Sequence, residues 1–413
     1  MARHSLLILA LLGAVVAPGA ARAQTLTVHG DLQQAIADAR PGDRLLVPAG
    51  VYRAPVVVTV PNLTLEGRGN PELTAEGHGS AVTIVANGVT LEGFHVTDTG
   101  RSLDAEDAGV KLLGVKDCRV LNNTIDQAFF GVVVERSSGN HLSGNRITGA
   151  APAGLFEAWG DGVRLWNAEG NRLDHNDVSR FRDGLYMEFA AHSTLEANVA
   201  SHNQRYGLHF MYMDDSTFTN NRFDANQAGS VLMYSKRLRI VGNTFSDNRG
   251  SVGDGLLFKE NDDSVIAHNR LVDNTVGMFL DSSYRNRFEH NLVAGNGWGL
   301  LLYASATGNR FTGNAFIDDG YEVAVDMPRS DNVLDGNYWS GYRGYDLNGD
   351  GRGDTSYAPV TLFAYLGMQY PDLVAFSQSP AVHALDFAQK LLPALAPSSL
   401  RDDHPLISAK EAS

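Results

Sequence analysis

The chain has 413 residues, a formal net charge of −14 at pH 7 and one cysteine, Cys118. An acidic chain is a poor partner for nucleic acid or anionic lipid, because their phosphate groups repel it. A single cysteine excludes a disulfide framework. We expect Cys118 to be a buried thiol, since no second cysteine or His-x-His motif accompanies it as a metal ligand.

The first residues are typical of an export signal. A basic start with Arg3 is followed by an apolar run over residues 6–17 and by the small-x-small site Ala21-Arg22-Ala23. We expect residues 1–23 to be a signal peptide, cleaved after Ala23, and the mature protein to be periplasmic. No later run reaches the roughly 18 apolar residues that a membrane-spanning helix requires.

Residues 24–54 are predicted to form an N-terminal cap. Asp31 to Ala39 have the pattern of a short amphipathic helix that ends before Pro41-Gly42. A helix at this position would cover the apolar cross-section and the unpaired strand edges at the end of a solenoid.

Residues 55–357 are predicted to form the main domain, because one short motif recurs through them. Each copy opens with a glycine, continues with alternating apolar residues and closes with an asparagine. The closing asparagines are Asn123, Asn145, Asn176, Asn198, Asn221, Asn243, Asn269, Asn291, Asn314 and Asn337. A period of about 22 residues with strand-like alternation predicts an all-β fold, a parallel β-solenoid.

The motif also predicts which side chains face inward. Apolar residues at odd offsets from the glycine, such as Leu185 and Met187, should fill the core. The closing asparagines should stack, each amide bonding to the next across the roughly 4.8 Å between strands. A loop inserted at residues 150–160 carries Phe156 and Trp159, which either contact a partner or fold back onto the coil.

The outward positions of about four adjacent coils are aromatic and methionine-rich, where a solvated strand face should be polar. Thioether and imidazole groups suit Cu(I) in an oxidising compartment. The candidate copper ligands are His209, Met211, Met213 and Met233. The alternative is a protein interface, in which methionine is an adaptable filler. The candidate interface residues are Trp166, Tyr186, Phe189, Tyr212 and Tyr234.

Catalysis on a polyuronate, by a lyase, hydrolase or epimerase, is the alternative function. Enzymes of that kind combine acids in an outward cleft, and three acidic pairs could supply them. The pairs are Asp214-Asp215, Asp262-Asp263 and Asp318-Asp319. They occupy turn positions, where aspartate satisfies the backbone. We therefore assign no catalytic residue.

Residues 346–354 have the spacing of a calcium-binding loop, with hard oxygen ligands at alternate positions. The candidate ligands are Asp346, Asn348, Asp350, the carbonyl of Arg352 and Asp354. Tyr357 stands where an EF-hand has its bidentate glutamate. The loop either holds calcium or is a turn stabilised by Asx hydrogen bonds, and in both cases it would fix the end of the solenoid.

The segment from Asn337 to Tyr357 resembles the closing signature of right-handed parallel β-helix proteins of the carbohydrate-binding and sugar-hydrolase type. It is similar in particular to the NosD family. The N-terminal segment 33–52 and residues 402–406 fit this resemblance, whereas Ser356 departs from it, because the pattern has proline there. The resemblance implies a non-enzymatic factor that helps to build the copper-sulfur centre of nitrous oxide reductase. The implied partners are nitrous oxide reductase, the membrane subunit of an ABC transporter and a copper chaperone.

Residues 358–413 are predicted to form a C-terminal docking tail outside the repeats. Ser379 and Pro380 can begin a helix. Its apolar stripe contains the further interface candidates Leu385, Leu391 and Leu392. This helix either packs back along the solenoid or, as the resemblance implies, docks on the transporter.

Overall fold

A computed structural model describes residues 23–150, 159–250, 253–377, 379–392, 397 and 399–411. The predicted signal peptide, apart from Ala23, and Phe156 lie outside the described residues. The described chain forms the predicted right-handed parallel β-helix, in which three sheets run along the molecule. Each complete coil contributes one short strand to each sheet, while the coils at the two ends lack one or two of them.

The three sheets contain parallel strands in sequence order. Sheet A has the strands Thr25–Thr27, Arg44–Pro48, Thr64–Arg68, Thr90–Glu92, Arg119–Leu121, His141–Ser143, Arg172–Asp174, Thr194–Glu196, Thr217–Thr219, Arg239–Val241, Val265–Ala267, Arg287–Glu289, Arg310–Thr312 and Val333–Asp335. Sheet B has the strands Val51–Arg53, Glu72–Thr74, His95–Thr97, Thr124–Ala128, Arg146–Gly149, Asp177–Ser179, Val199–Ser201, Arg222–Asp224, Thr244–Ser246, Arg270–Val272, Leu292–Ala294, Ala315–Ile317 and Tyr338–Trp339. Sheet C has the strands Val56–Val58, Val82–Ile84, Ala108–Leu113, Phe130–Glu135, Val163–Trp166, Leu185–Glu188, Tyr206–Met211, Ala228–Met233, Asp254–Lys259, Val276–Asp281, Trp298–Leu302 and Tyr321–Val325.

The core lies between the sheets and follows the predicted alternation. In sheet C, Leu185 and Met187 are buried, and so are their register partners Leu208 and Phe210 in the next coil. The opening glycines are required by close packing between coils. A Cβ atom at Gly229 would lie 2.6 Å from the carbonyl oxygen of Gly255. The predicted buried thiol is also confirmed, because Cys118 is inaccessible and its Sγ lies 3.3 Å from the carbonyl oxygen of Ala86.

The closing asparagines form the predicted ladder at the corner between sheets A and B. The Asn221 side-chain amide donates to Oδ1 of Asn243 at 2.9 Å, and the same contact recurs between Asn243 and Asn269 at 3.0 Å. Each amide also donates to a main-chain carbonyl, as Asn243 does to Phe218. The ladder therefore satisfies buried polar groups at every coil.

A second asparagine ladder, which we did not predict, lies at the corner between sheets B and C. Asn226 and Asn248 are two of its members, with the same amide-to-Oδ1 contact. The full row is Asn203, Asn226, Asn248, Asn274, Asn296 and Asp319. Its period is the same as that of the first ladder, so the sequence carried the signal.

The N-terminal end is closed by helix α1, Leu32–Asp38, whose N-cap is Asp31. Leu32 and Ile36 face the core. The strand Arg44–Pro48 already pairs with Thr64–Arg68, so the coils begin before the predicted boundary at residue 54.

The C-terminal end is closed by two separate parts of the predicted tail. Helix α2, Leu362–Gln369, lies against the last strand of sheet C, and helix α3, Pro380–Leu391, has the predicted N-cap Ser379. A 3-10 turn, Pro371–Phe376, joins them, and another, Ala409–Glu411, lies near the C-terminus. Among the described residues, no helix is long and apolar enough to cross a membrane.

The last residues return to the solenoid. Leu334 forms a parallel bridge with Asp402, and Tyr338 forms one with Leu406. The buried Asp402 carboxylate accepts hydrogen bonds from the Asn337 amide and the Trp339 indole, and so completes the closing ladder. Residues 402–406 therefore belong to the end of the β-helix, while the docking role of the tail over residues 358–413 stays a prediction.

Candidate functional site

The candidate site lies on the outer face of sheet C, where strand register brings the predicted residues together. Tyr186, His209 and Val231 are register partners in three consecutive coils. Glu188, Met211 and Met233 form the parallel row two residues further along. Neighbouring strands are about 4.8 Å apart, so the two methionine Cα atoms are separated by one strand spacing.

His209 is held in a defined orientation by a buried carboxylate. Its Nδ1 lies 3.0 Å from Oδ2 of Asp183, and its ring stands edge-to-face between those of Tyr186 and Tyr206 at 5.0 and 5.1 Å. Arg205 also binds Asp183, with Nε donating to Oδ1 at 2.8 Å. A carboxylate on one imidazole nitrogen fixes the ring and leaves the other nitrogen for a ligand.

Asp183 belongs to a larger cluster of buried charge that the sequence analysis missed. Asp161, its partner in the preceding coil, is fully buried and binds Arg182 through two hydrogen bonds of 3.1 and 2.9 Å. Arg164 approaches the same carboxylate at 3.2 Å and lies 4.9 Å from the Tyr186 ring centroid. In three coils an aspartate precedes the opening glycine, at Asp161, Asp183 and Asp254. That repetition could have indicated the cluster.

The two adjacent carboxylates differ in proton affinity. Burial, together with the charge of Asp183, raises the pKa of Asp161 to about 6, although Arg182 opposes the shift. Burial also opposes ionisation of Asp183, but hydrogen bonds from Arg205 and His209 hold its pKa below the usual value. Asp183 is therefore the anion that orients His209.

The methionines predicted as copper ligands are divided by the fold. Met211 and Met233 are half-buried on the outer face, beside His209. Met213 is completely buried in the hydrophobic core. Its prediction as an outer-face ligand is wrong, because the chain turns a corner after Met211 and directs Met213 inward. The remaining donors, one imidazole and two thioethers, fit Cu(I).

Three of the interface candidates form a stack of rings at the corner that follows sheet C. The ring centroids of Phe189 and Tyr212 are 4.7 Å apart and the two rings are nearly parallel. The ring centroids of Tyr212 and Tyr234 are 5.3 Å apart. Phe189 and Tyr212 are more than 40% exposed. This ring stack is therefore available for contact with a partner.

The other two candidates from this face lie outside the ring stack. Tyr186 is buried, and its hydroxyl donates to Glu188 at 2.9 Å, while burial raises its pKa to about 12. Trp166 is half-buried and is the register partner of Glu188. From the inserted loop, Trp159 is half-buried, and its indole N–H has no acceptor among the described residues.

The acidic pairs occupy turns, as expected. Asp215 and Asp263 receive two hydrogen bonds each from Arg237 and Arg285 of the following coils. Asp319 ends the second asparagine ladder, and burial raises its pKa to about 7. Asp254 reaches a pKa of about 7 for the same reason.

The side-chain oxygens of the calcium-type loop accept hydrogen bonds from the loop's own backbone amides. Asp346 accepts from the amides of Gly349 and Gly351 at 2.6 and 3.0 Å, and these bonds, that of Gly351 first, lower its pKa. Asn348 accepts from the amide of Asp350, and Asp354 accepts from that of Leu347. Asp350 itself accepts from the amide of Arg352. The Asx alternative describes this geometry, while calcium binding stays a prediction.

The apolar stripe of α3 is only partly covered. Val382 is buried and Leu385 is half-buried, whereas Leu392 is 59% exposed. Phe387, which was not a predicted interface residue, is 62% exposed. The side chain of Leu391 lies outside the described part of the chain. The α3 apolar surface, Phe387 and Leu392, is therefore a second candidate contact.

Comparison with known proteins gives a consistent group of relatives. A family model described as "Periplasmic copper-binding protein (NosD)" matches residues 152–344. A "Probable ABC transporter binding protein NosD" of Pseudomonas aeruginosa is 31% identical over 391 residues, which cover 88% of this chain and 88% of that protein. A protein of the same description from Stutzerimonas stutzeri is 29% identical over 394 residues, covering 88% of this chain and 87% of that protein.

Solved structures are similar in fold at low sequence identity. A family 28 exopolygalacturonase of Yersinia enterocolitica gives a TM-score of 0.60 at 12% identity, over 76% of this chain and 79% of that chain. The Dettilon tailspike protein gives a TM-score of 0.55 at 15% identity, over 70% of this chain and 63% of that chain. Identities this low show the β-helix fold alone.

Proposed function

The chain belongs to the NosD family, and we propose that it is a non-catalytic periplasmic accessory protein that carries copper for the copper-sulfur centre of nitrous oxide reductase. The observation that supports this function most directly is His209, oriented by Asp183 and next to the Met211 and Met233 row. We propose that these three side chains hold Cu(I) as cargo. Removal of residues 1–23 during export belongs to the same proposal.

The donor set explains why the copper would be both bound and transferable. Neutral imidazole and thioether ligands favour Cu(I) without the oxidation risk of a thiolate. The two methionines are half-buried at the surface, so a copper chaperone or the client reductase can reach the metal. Asp183 and Arg205 fix the imidazole but need not touch the metal.

Competition for Cu(I) against a chromophoric chelator tests the copper site. We expect the His209→Ala variant and the Met211→Leu/Met233→Leu double variant to bind Cu(I) at least about tenfold more weakly than the native protein. Met213→Leu is the matched control, since it makes the same chemical change in the core and should leave affinity unchanged. Equal affinity in all variants would remove the copper site from this face.

We propose that the α3 apolar surface docks on the membrane subunit of an ABC transporter. The relatives' description as probable ABC transporter binding proteins supports such a partner. Deleting the whole tail would also remove Asp402, so point variants are a cleaner test. Phe387→Ser and Leu392→Ser should abolish co-purification of the transporter, whereas Leu347→Ser, a change at an exposed leucine in a loop, should not. Normal co-purification of both α3 variants would refute this docking site.

The role in maturation is tested by the metal content of the client. Nitrous oxide reductase purified from cells that lack this protein should be deficient in copper and sulfide at its catalytic centre. Complementation with the His209→Ala variant should restore less copper than complementation with Met213→Leu. An unchanged reductase from the deletion strain would refute the maturation role.

A polyuronate lyase, hydrolase or epimerase is the second candidate, and one observation favours it. Asp161 and Asp183 are adjacent buried carboxylates whose pKa values are shifted in opposite directions, as in many acid–base pairs. Their arginine partners weaken the case, because both carboxylates are already ion-paired. Soluble oligouronates with an ultraviolet assay for unsaturated product and chromatography of the reducing ends would detect lyase or hydrolase activity, and proton NMR would detect epimerisation.

A further inference from the structure

A small recess interrupts the row of side chains that contains the ring stack. Successive corner amides donate to carbonyls of the next coil, which places Arg136, Asn167, Phe189, Tyr212 and Tyr234 in one row. Three consecutive members of this row carry rings, but Asn167 does not. A pocket of about 230 Å³ lies at this position, beyond the last ring of the stack. It is lined by Arg136, Ser137, Ser138, Asn167, Glu169 and Phe189.

The spacing between strands leaves room for one ring at the level of the recess. Arg136 and Phe189 are two coils apart, a separation of about 9–10 Å. A ring inserted at the level of Asn167 would lie about 4.8 Å from each of them. That spacing matches the 4.7 and 5.3 Å found within the ring stack. Such a ring would stack on Phe189 and face the Arg136 guanidinium, which Glu135 holds by an ion pair.

The remaining lining of the recess is polar and can form hydrogen bonds with a ligand. Asn167 and Glu169 are exposed. Both can accept a hydrogen bond from a donor at the edge of an inserted ring. A phenol hydroxyl or an indole N–H provides that donor, whereas a phenyl or aliphatic group does not.

The backbone indicates that the ring stack is maintained against local preference. Phe189, Tyr212 and Tyr234 have φ values of 51°, 56° and 54°. Bulky residues are uncommon in this left-handed region, and each costs of order 1 kcal/mol there. Asparagine or glycine fits such corners better, as at Asn220 and Gly242. Strained, exposed aromatic residues are a pattern typical of contact surfaces.

We propose that the recess between Arg136 and Phe189 receives a tryptophan or tyrosine side chain of a partner protein, which extends the ring stack by one ring. This contact is independent of copper and lies on the far side of the Trp166 and Glu188 row from His209. An aromatic side chain that enters a pocket at the end of a rigid stack has the character of an interface hot spot.

Ligand-observed NMR of N-acetyl-tryptophanamide with the full-length protein tests whether the recess binds an aromatic side chain. A single side chain should bind with a Kd in the millimolar range. N-acetyl-cyclohexylalaninamide, which has similar bulk without a π-face or a donor, should bind at least about fivefold more weakly. Asn167→Phe fills the recess and should reduce tryptophanamide binding at least tenfold. Asn220→Phe makes the same change at another exposed left-handed corner and should leave binding unchanged.

Each other outcome would overturn the proposal. If the Asn167→Phe variant, with an unchanged melting curve, binds the probe like the native protein, the ring does not enter the recess. Equal binding of the cyclohexyl compound shows a non-specific apolar pocket. Adenosine binding more tightly than the tryptophan probe would indicate a nucleotide site instead of a protein contact. No detectable binding to the native protein refutes the proposal directly.

Discussion

Two corners of the same solenoid use repetition differently. At the corner between sheets A and B, asparagine recurs at every coil from Asn123 to Asn337, and each amide is bonded to its neighbours. At the corner after sheet C, an exposed row changes from Arg136 and Asn167 to rings and then to Glu260. A uniform buried row satisfies the backbone at each coil. A row that changes along the helix axis and is exposed has no such requirement, and its unusual members indicate function.

The largest expected effect comes from breaking the uniform corner. Asn243→Leu would remove the acceptor of the Asn221 amide and the donor to the Phe218 carbonyl. Several buried polar groups would lose their partners, so we expect a loss of about 3–5 kcal/mol in the free energy of unfolding. Urea unfolding measures it. A change below 1 kcal/mol would show that the ladder contributes little to stability.

The second asparagine ladder ends in a carboxylate and should make stability depend on pH. Burial raises the pKa of Asp319 to about 7, above the value of 3.8 expected in the unfolded chain. Because the pKa is raised in the folded state, the contribution of this carboxyl to the free energy of unfolding is fully present below pH 3.8. That contribution is lost as the pH rises through about 7. The protein should therefore be less stable at pH 8 than at pH 5, and Asp254 contributes in the same direction.

Asp319→Asn should remove most of this pH dependence. The new amide can donate to the carbonyl of Val293, as Asn296 donates to that of Leu271 in the coil before. We expect the stability of the variant relative to the native protein to be higher at pH 8 than at pH 5 by roughly 2–3 kcal/mol, because the native carboxyl loses about 1.4 kcal/mol per pH unit between pH 5 and its pKa of about 7. Thermal unfolding at both pH values measures the difference. A variant that keeps the native pH profile would assign the effect to Asp254 or to Asp161, whose pKa values are also raised.

Much of the uniform part could be predicted from the sequence, because each coil repeats the same local rule. Cys118, the inward-facing Leu185 and the N-cap Ser379 followed from local pattern and are confirmed. Asp402 could not be predicted, since its partners Asn337 and Trp339 are more than 60 residues away and no repeat marks it. A contact between the end of the solenoid and a segment far away in the chain leaves no periodic signal in the sequence.

The candidate site was predicted less completely, because it depends on side-chain direction. Offset counting placed Met211 and Met233 together correctly but put Met213 on the same surface, although the corner turns it into the core. The orientation of His209 required knowing that Asp183 of the previous coil points outward. Charged contacts between coils are set by register and by side-chain rotamers, which a single sequence does not fix.

The calcium-type loop gives a smaller effect that separates its two interpretations. Asp346 binds three backbone amides, so Asp346→Asn should lower Tm slightly by weakening charge-assisted hydrogen bonds. If the loop also holds calcium, Tm of the native protein should rise with added Ca²⁺ and fall with EGTA, and the variant should not respond. A native Tm that is independent of Ca²⁺ leaves the Asx turn alone as the role of this loop.

The smallest expected change in stability comes from placing an asparagine, the residue of the buried ladder, at the exposed corner after sheet C. Tyr212→Asn replaces a strained aromatic residue at a φ of 56° by one that tolerates this region, but it also removes two ring contacts. Stacking is worth about 0.5–1.5 kcal/mol per pair and the strain is of similar size, so the net change should stay within about 1 kcal/mol. Urea unfolding compared with Asn243→Leu measures the contrast. A loss as large as that of Asn243→Leu would mean that the ring stack is a structural part of the coil, whereas a neutral change with weakened partner binding leaves recognition as the reason for three aromatic residues at this corner.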